Sequence, residues 1–125
     1  MTIEKAIAEA NSLSNNLIDP ALKREWLSRL DGRIYYEILH PSADEKEFKG
    51  YTPDTDPDTE LLVGYPWDSL YVTYLEMECA RVSADGARFA NARMTFNETY
   101  NSFLKWHNRT NVTESPKIDI PIRRY

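Results

Sequence analysis

The chain has a single cysteine, Cys79, so no internal disulfide can form and a secreted disulfide scaffold is excluded. Glycine is scarce, with four residues in 125, and no glycine-rich stretch of the kind that cradles phosphate occurs. Histidine is limited to His40 and His107. Neither sits in a helical His-Glu pattern, and nothing in the spacing brings them together. No apolar run approaches the ~20 residues of a membrane-spanning helix. Positive charge is the minority: 15 Lys and Arg stand against 20 Asp and Glu, for a net charge of −5. That balance argues against a protein whose main task is gripping phosphate backbones, an affinity that comes from excess positive charge.

What is present describes a folded domain. Aromatic residues make up 12% of the chain, including eight tyrosines and three tryptophans, which excludes a disordered acidic tail. The length suits one domain whose core needs neither disulfide nor metal. The first ten residues carry Glu4 and Glu9 where a signal peptide would be apolar, so the expected compartment is the cytosol. The glycosylation-type triplets at Asn97, Asn108 and Asn111 are then chance.

Apolar spacing predicts an all-α fold, a small bundle of about four helices. Ile3, Ala6, Ile7, Ala10 and Leu13 form a short stripe behind Thr2, a suitable N-cap. Asp19-Pro20 opens a second helix, where Leu22, Trp26, Leu30, Ile34 and Ile38 recur every four residues. Asp31-Gly32 lies inside it and marks either a bend or the joint of two helices. From 40 to 62 helical periodicity vanishes, and an irregular loop is expected. In a β-hairpin version, Lys46–Tyr51 pairs with Glu60–Val63. Pro66 opens a third helix with Asp68 in its first turn and an apolar face of Trp67, Leu70, Tyr71, Tyr74, Leu75 and Val82. Ser83–Gly86 breaks the chain, and Asp85 caps the fourth helix. In that helix Phe89, Ala92, Phe96, Tyr100, Phe103 and His107 keep steps of three and four over five turns, so the last two helices form a long antiparallel hairpin. This organisation divides the chain into a helical body, 1–110, and an extended C-terminal arm, 111–125.

The search for chemistry yields partial signals. Asp54, Asp56 and Asp58 match the first three ligand positions of a calcium loop, but Thr59 replaces the turn glycine and Tyr65 the closing glutamate. The stretch reads as a solvated acidic loop. Cys79 lacks nucleophile context and reads as a packing residue. No cofactor or metal is implied. Glu78 falls near the middle of the third helix's apolar face, where an unpaired carboxylate is costly. The hairpin register places it opposite Asn91–Arg93, which predicts a Glu78–Arg93 pair. In the arm, Ile118, Ile120 and Ile122 alternate like a strand. The arm either adds to a neighbouring subunit or folds along its own helices.

Several stretches carry a resemblance. Trp26-Leu-Ser-Arg-Leu-Asp-Gly-Arg-Ile-Tyr-Tyr-Glu-Ile38 resembles the second-helix signature of small head–tail connector (adaptor) proteins from tailed phages and prophages of Gram-positive hosts. Asp58-Thr-Glu-Leu-Leu-Val-Gly-Tyr-Pro-Trp-Asp-Ser-Leu-Tyr-Val-Thr-Tyr-Leu75 is similar to the middle segment of that family. Phe89–Tyr100 and Trp106–Thr110 resemble its last helix. The resemblance covers most of positions 2–110 and implies a mostly helical structural subunit, not an enzyme. It implies a homo-oligomeric ring of about a dozen copies between the portal protein and the tail-side proteins, in the neck of a virion assembled in the host cytoplasm. No specific nucleic-acid binding and no membrane association are expected. Ring interfaces are heterologous, and Arg123-Arg124 meeting the Asp54–Glu60 loop of the next subunit is one pairing the charges allow. The competing class is a small helical regulatory or interaction module, including a helix-turn-helix DNA binder, although no helix presents a Lys/Arg-rich face. A small hydrolase would need a pocket joining His40 or His107 to a carboxylate.

Overall fold

The computed structural model describes residues 1–13, 18–39 and 47–112, with the backbone alone at 111 and 112. Four α-helices form the molecule, with no strand among the described residues: α1 (Ile3–Leu13), α2 (Pro20–Ile34), α3 (Ser69–Val82) and α4 (Gly86–Val112). His40 and the arm residues Ile118, Ile120, Ile122, Arg123 and Arg124 lie outside the described residues.

The caps follow the local chemistry. The Thr2 hydroxyl accepts from the Lys5 amide at 3.1 Å and starts α1. The Asp19 carboxylate accepts from the Ala21 amide at 2.9 Å, with Pro20 in the first position of α2. Asp85 accepts from the Arg88 amide at 3.2 Å and starts α4. The turn before it passes through Ala84 at φ 58°, the left-handed conformation that ends many helices. α3 begins three residues later than the proline suggests, because 64–68 form stacked turns first, with the Trp67 amide donating to the Gly64 carbonyl at 3.0 Å.

α2 passes through Gly32 without interruption and ends in one wider π-type turn, Tyr35–Leu39. A methyl group on Gly32 would meet only the Phe48 ring, at 3.8 Å, an ordinary contact. Gly32→Ala therefore removes the helix penalty of glycine with no clash. It is expected to raise stability by about 1 kcal/mol in urea unfolding.

The core joins α1 (Ile3, Ala6, Ala10), α2 (Trp26, Leu27, Leu30, Ile34) and α3 (Leu70, Tyr71, Leu75, Cys79). Leu61 and Val63 enter it from the connecting segment. Each fully buried Leu or Ile contributes roughly 1.5–3 kcal/mol of transfer free energy. α4 adds Phe96 and Phe103 to this core and packs on α3 as the antiparallel hairpin its spacing predicts. Its buried side chains are Phe96 and Phe103, flanked by half-buried Phe89, Ala92, Tyr100 and His107. On α3 the expected face is correct except at its end, where Val82 is 50% exposed next to the turn.

The β-hairpin version of the loop does not form. Residues 57–61 instead run beside the first residues of the chain. The Ile3 amide donates to the Thr59 carbonyl at 3.1 Å, Glu4 to Pro57 at 3.0 Å and Leu61 to Met1 at 2.9 Å, with a single antiparallel bridge between Thr2 and Glu60. Residues 48–51 turn the other way and pack on the end of α2. The Tyr36 hydroxyl accepts from the Phe48 amide at 3.2 Å, and the Phe48 ring lies 5.5 Å from those of Tyr35 and Tyr51.

Candidate functional site

One row of polar side chains on α2 holds the connecting segment at residues 51–55 and at Leu62. Arg24, Ser28 and Asp31 stand at i, i+4 and i+7, so they share a helix face. The Arg24 guanidinium donates to the carbonyls of Thr52, Pro53 and Thr55 at 2.8, 3.2 and 2.7 Å. The Ser28 hydroxyl accepts from the Tyr51 amide at 2.9 Å. Asp31 is completely buried and accepts three hydrogen bonds: Tyr71 hydroxyl at 2.6 Å, Tyr51 hydroxyl at 2.5 Å and Leu62 amide at 3.1 Å. The Tyr71 hydroxyl in turn accepts from the Val63 amide at 2.8 Å. A buried carboxylate is tolerated only when its lone pairs are occupied, and here α3 and two points of the loop supply the donors. Burial raises the Asp31 carboxyl above its usual range, and the three hydrogen bonds oppose that rise. Both tyrosines are pushed well above ordinary phenols, first by burial and then by the Asp31 charge they face.

Glycine is required at one point of this fastening. Gly50 has φ +82°, and a Cβ there would lie 2.6 Å from the Ser28 hydroxyl oxygen. Gly50→Ala combines left-handed backbone strain with displacement of the hydroxyl that holds Tyr51. The expected cost is about 2 kcal/mol, read as a lower urea midpoint with an unchanged slope, opposite in sign to Gly32→Ala.

One acid of the loop, Asp56, serves the loop's own backbone. The Asp56 carboxylate accepts from the Asp58 amide at 2.9 Å, while the Asp54 amide donates to the Thr52 hydroxyl at 3.2 Å. Asp54, Asp56 and Asp58 are not drawn together into a ligand set, and no group of three or more metal-ligating residues occurs among the described residues. Glu78 is shielded as the helical wheel indicates, with its side chain 14% exposed, but its partner is corrected. It pairs with Arg81 at 2.8 Å, one turn along the same helix, whereas Arg93 is exposed and carries no ion pair among the described residues. A partner at i+3 closes the pair without spanning the hairpin. His107 stacks near Phe103, with ring centroids 5.9 Å apart. Cys79 is buried, and burial raises its thiol. Lys23, also buried, donates to the Asn11 side-chain oxygen.

The surface offers two adjoining grooves along the outer side of α3. One, of about 550 Å³, lies against α1 and includes Leu13, Tyr65 and Val72. The other, of about 330 Å³, lies against α4 and includes Arg88, Asn91 and Thr95. Thr73 and Glu76 of α3 belong to both. Neither groove contains a histidine or the cysteine. No helix among the described residues is long and apolar enough to cross a membrane. No family model, curated protein or solved structure matches the chain.

Proposed function

We propose that the chain is a structural subunit of a head–tail connector, assembled as a ring between the capsid portal and the tail of a phage or prophage. The observation that carries the reading is how the resembling segments interlock. The Trp26–Ile38 stretch supplies Asp31, and the Asp58–Leu75 stretch supplies Leu62, Val63 and Tyr71, which close on it. The segments that carry the resemblance are thus also the ones that interlock around Asp31. The third stretch forms α4, which is covered on one side only. A rigid body carrying an uncovered long helix suits a part whose work is contact with copies and neighbours. The net charge of −5 suits a channel that DNA slides through.

In this reading the subunit acts in the virion neck through shape and binds portal and tail proteins without breaking a bond. Mass-resolved chromatography over a concentration series tests it, with electron micrographs of the largest species alone and with the portal protein. Self-association into closed rings in either setting is the expected result. Tight, salt-dependent binding of duplex DNA by a monomer would instead establish the regulatory-module reading.

A further inference from the structure

The smaller groove and the far side of α4 occupy two different flanks of that helix, and the larger groove continues the smaller one across α3. At 100° per residue, the groove wall of Asn91 and Thr95 and the row of Ala90 and Asn97 stand roughly 130° apart on α4. Arg93 and Met94 border that second row on either side. An exposed helix flank ordinarily carries alternating charges. This one presents Ala90, Asn97 and Asn101, with Met94 64% exposed and Arg93 unpaired among the described residues. The groove has the complementary character. Leu13 (64% exposed) and Tyr65 (88% exposed) give it apolar surface. Glu76 is half-buried where the two cavities meet and has no ion pair among the described residues. The full charge set is Glu9, Asp68 and Glu76 against Lys5, Arg88 and the Met1 amine, which lies 3.6 Å from Asp68.

We propose that the α4 flank of one copy seats in the α3 groove of the next, with Met94 against Leu13 and with Arg93 paired to Glu76. The inference rests on the connector reading and names the surfaces through which its subunits meet. Because groove and flank are different surfaces of the subunit, the contact is heterologous and propagates from copy to copy, as a ring requires. Glu76 gains the partner it lacks, and its half-buried position strengthens the pair relative to a fully exposed one.

The test is charge exchange in the full chain. Glu76→Arg and Arg93→Glu, each alone, are expected to weaken self-association at least tenfold in sedimentation velocity at low salt. The double exchange is expected to restore it. Circular dichroism and melting curves separate loss of assembly from loss of fold. Should a single variant unfold, Glu76→Cys with Arg93→Cys replaces it, since the one native cysteine is buried. Oxidation should then give a ladder of covalent oligomers on denaturing gels. Wild-type assembly that the exchanges leave unchanged, or a cysteine pair that gives no ladder or stops at dimers, overturns this interface and leaves the connector reading standing. A wild-type chain that stays monomeric both alone and with the portal protein overturns both.

Discussion

Asp31→Ala is expected to lower the stability of the fold by about 3 kcal/mol or more, a large share of the 5–15 kcal/mol available to a domain. The side chain is small, so the lost packing volume is slight. The cost comes from the donors left behind. Tyr71 and Tyr51 lose the acceptor of their hydroxyl protons, and the Leu62 amide loses its only acceptor among the described hydrogen bonds. The Tyr71 hydroxyl is in the core and cannot turn to water, and it also accepts from Val63. Asp31→Asn is expected to cost less, about 1–3 kcal/mol. An amide can keep its oxygen toward Leu62 and Tyr51 and turn its NH₂ toward Tyr71, whose oxygen can accept; only the Tyr71 proton is then stranded.

The pH dependence comes from the direction of the shift. Burial holds the folded-state carboxyl above its ordinary value of 3.8, so the folded chain retains this proton more firmly than the unfolded chain does. The stability this linkage contributes is complete below pH ~4 and is lost as pH rises through the folded-state value. The gap between wild type and Asp31→Ala should therefore narrow with rising pH across that range in a series of urea titrations. A gap that widens would show that the three hydrogen bonds outweigh burial.

Apolar spacing revealed the parts of this fold that apolar spacing builds. Trp26, Leu30 and Ile34 recur every four residues and are buried, and the α4 row from Phe89 to His107 is the side that meets α3. The same reading passes over Asp31, because a period counted in apolar residues treats an acid as surface. It also passes over the segment from 47 to 63, which is held by side chains at 51–55 and 62 and by backbone bonds to the first residues of the chain at 57–61, and so has no period of its own. A signal was nonetheless present. Arg24, Ser28 and Asp31 make a polar row beside the buried Leu27 and Ile34 of the same helix, and such a row needs partners. Tyr51 and Tyr71 were the phenols able to reach a buried acid, and neither position could be placed opposite Asp31 without the path of the loop. Glu78 shows the complementary limit. The wheel placed it on a sheltered face, but the choice between Arg81 at i+3 and Arg93 across the hairpin depends on distances that spacing does not contain. The asymmetry of α4 was legible as a single apolar row, and that row already implied an uncovered opposite side.

Phe103→Ala is expected to cost about 3–5 kcal/mol, and much of the effect should be local to the far half of α4. α4 has 27 residues and α3 has 14, about 40 Å against 21 Å, so the end of α4 overhangs the helix it packs on. Beyond Tyr100 the attachment is aromatic. Phe103 is 4% exposed, with its ring 6.2 Å from those of Trp67 and Trp106, and Trp67 lies 4.4 Å from Trp106 while its indole N–H donates to the Ser102 hydroxyl at 3.3 Å. Phe103 is the buried member of this cluster; Trp106 is 38% exposed. Among the described side chains, Phe96 is the one other buried anchor that α4 has. Removing Phe103 leaves the last turns of α4 as a helix of roughly a dozen residues without a buried contact, a length that is marginal in water. Amide hydrogen exchange should therefore accelerate from Asn101 to Thr110 well before it does in α2, and tryptophan fluorescence should shift red as Trp67 is uncovered. Lys105→Ala, on the exposed side of the same turn, is expected to change stability by less than about 0.5 kcal/mol. If Phe103→Ala slowed no assembly and exposed no amides, α4 would have to be held by something other than its contact with Trp67. If the amides open as expected while the core of α1–α3 keeps its protection, the hairpin arm and the body are separate stability units. A connector could then adjust the arm at its interface without loosening the Asp31 fastening that sets the body.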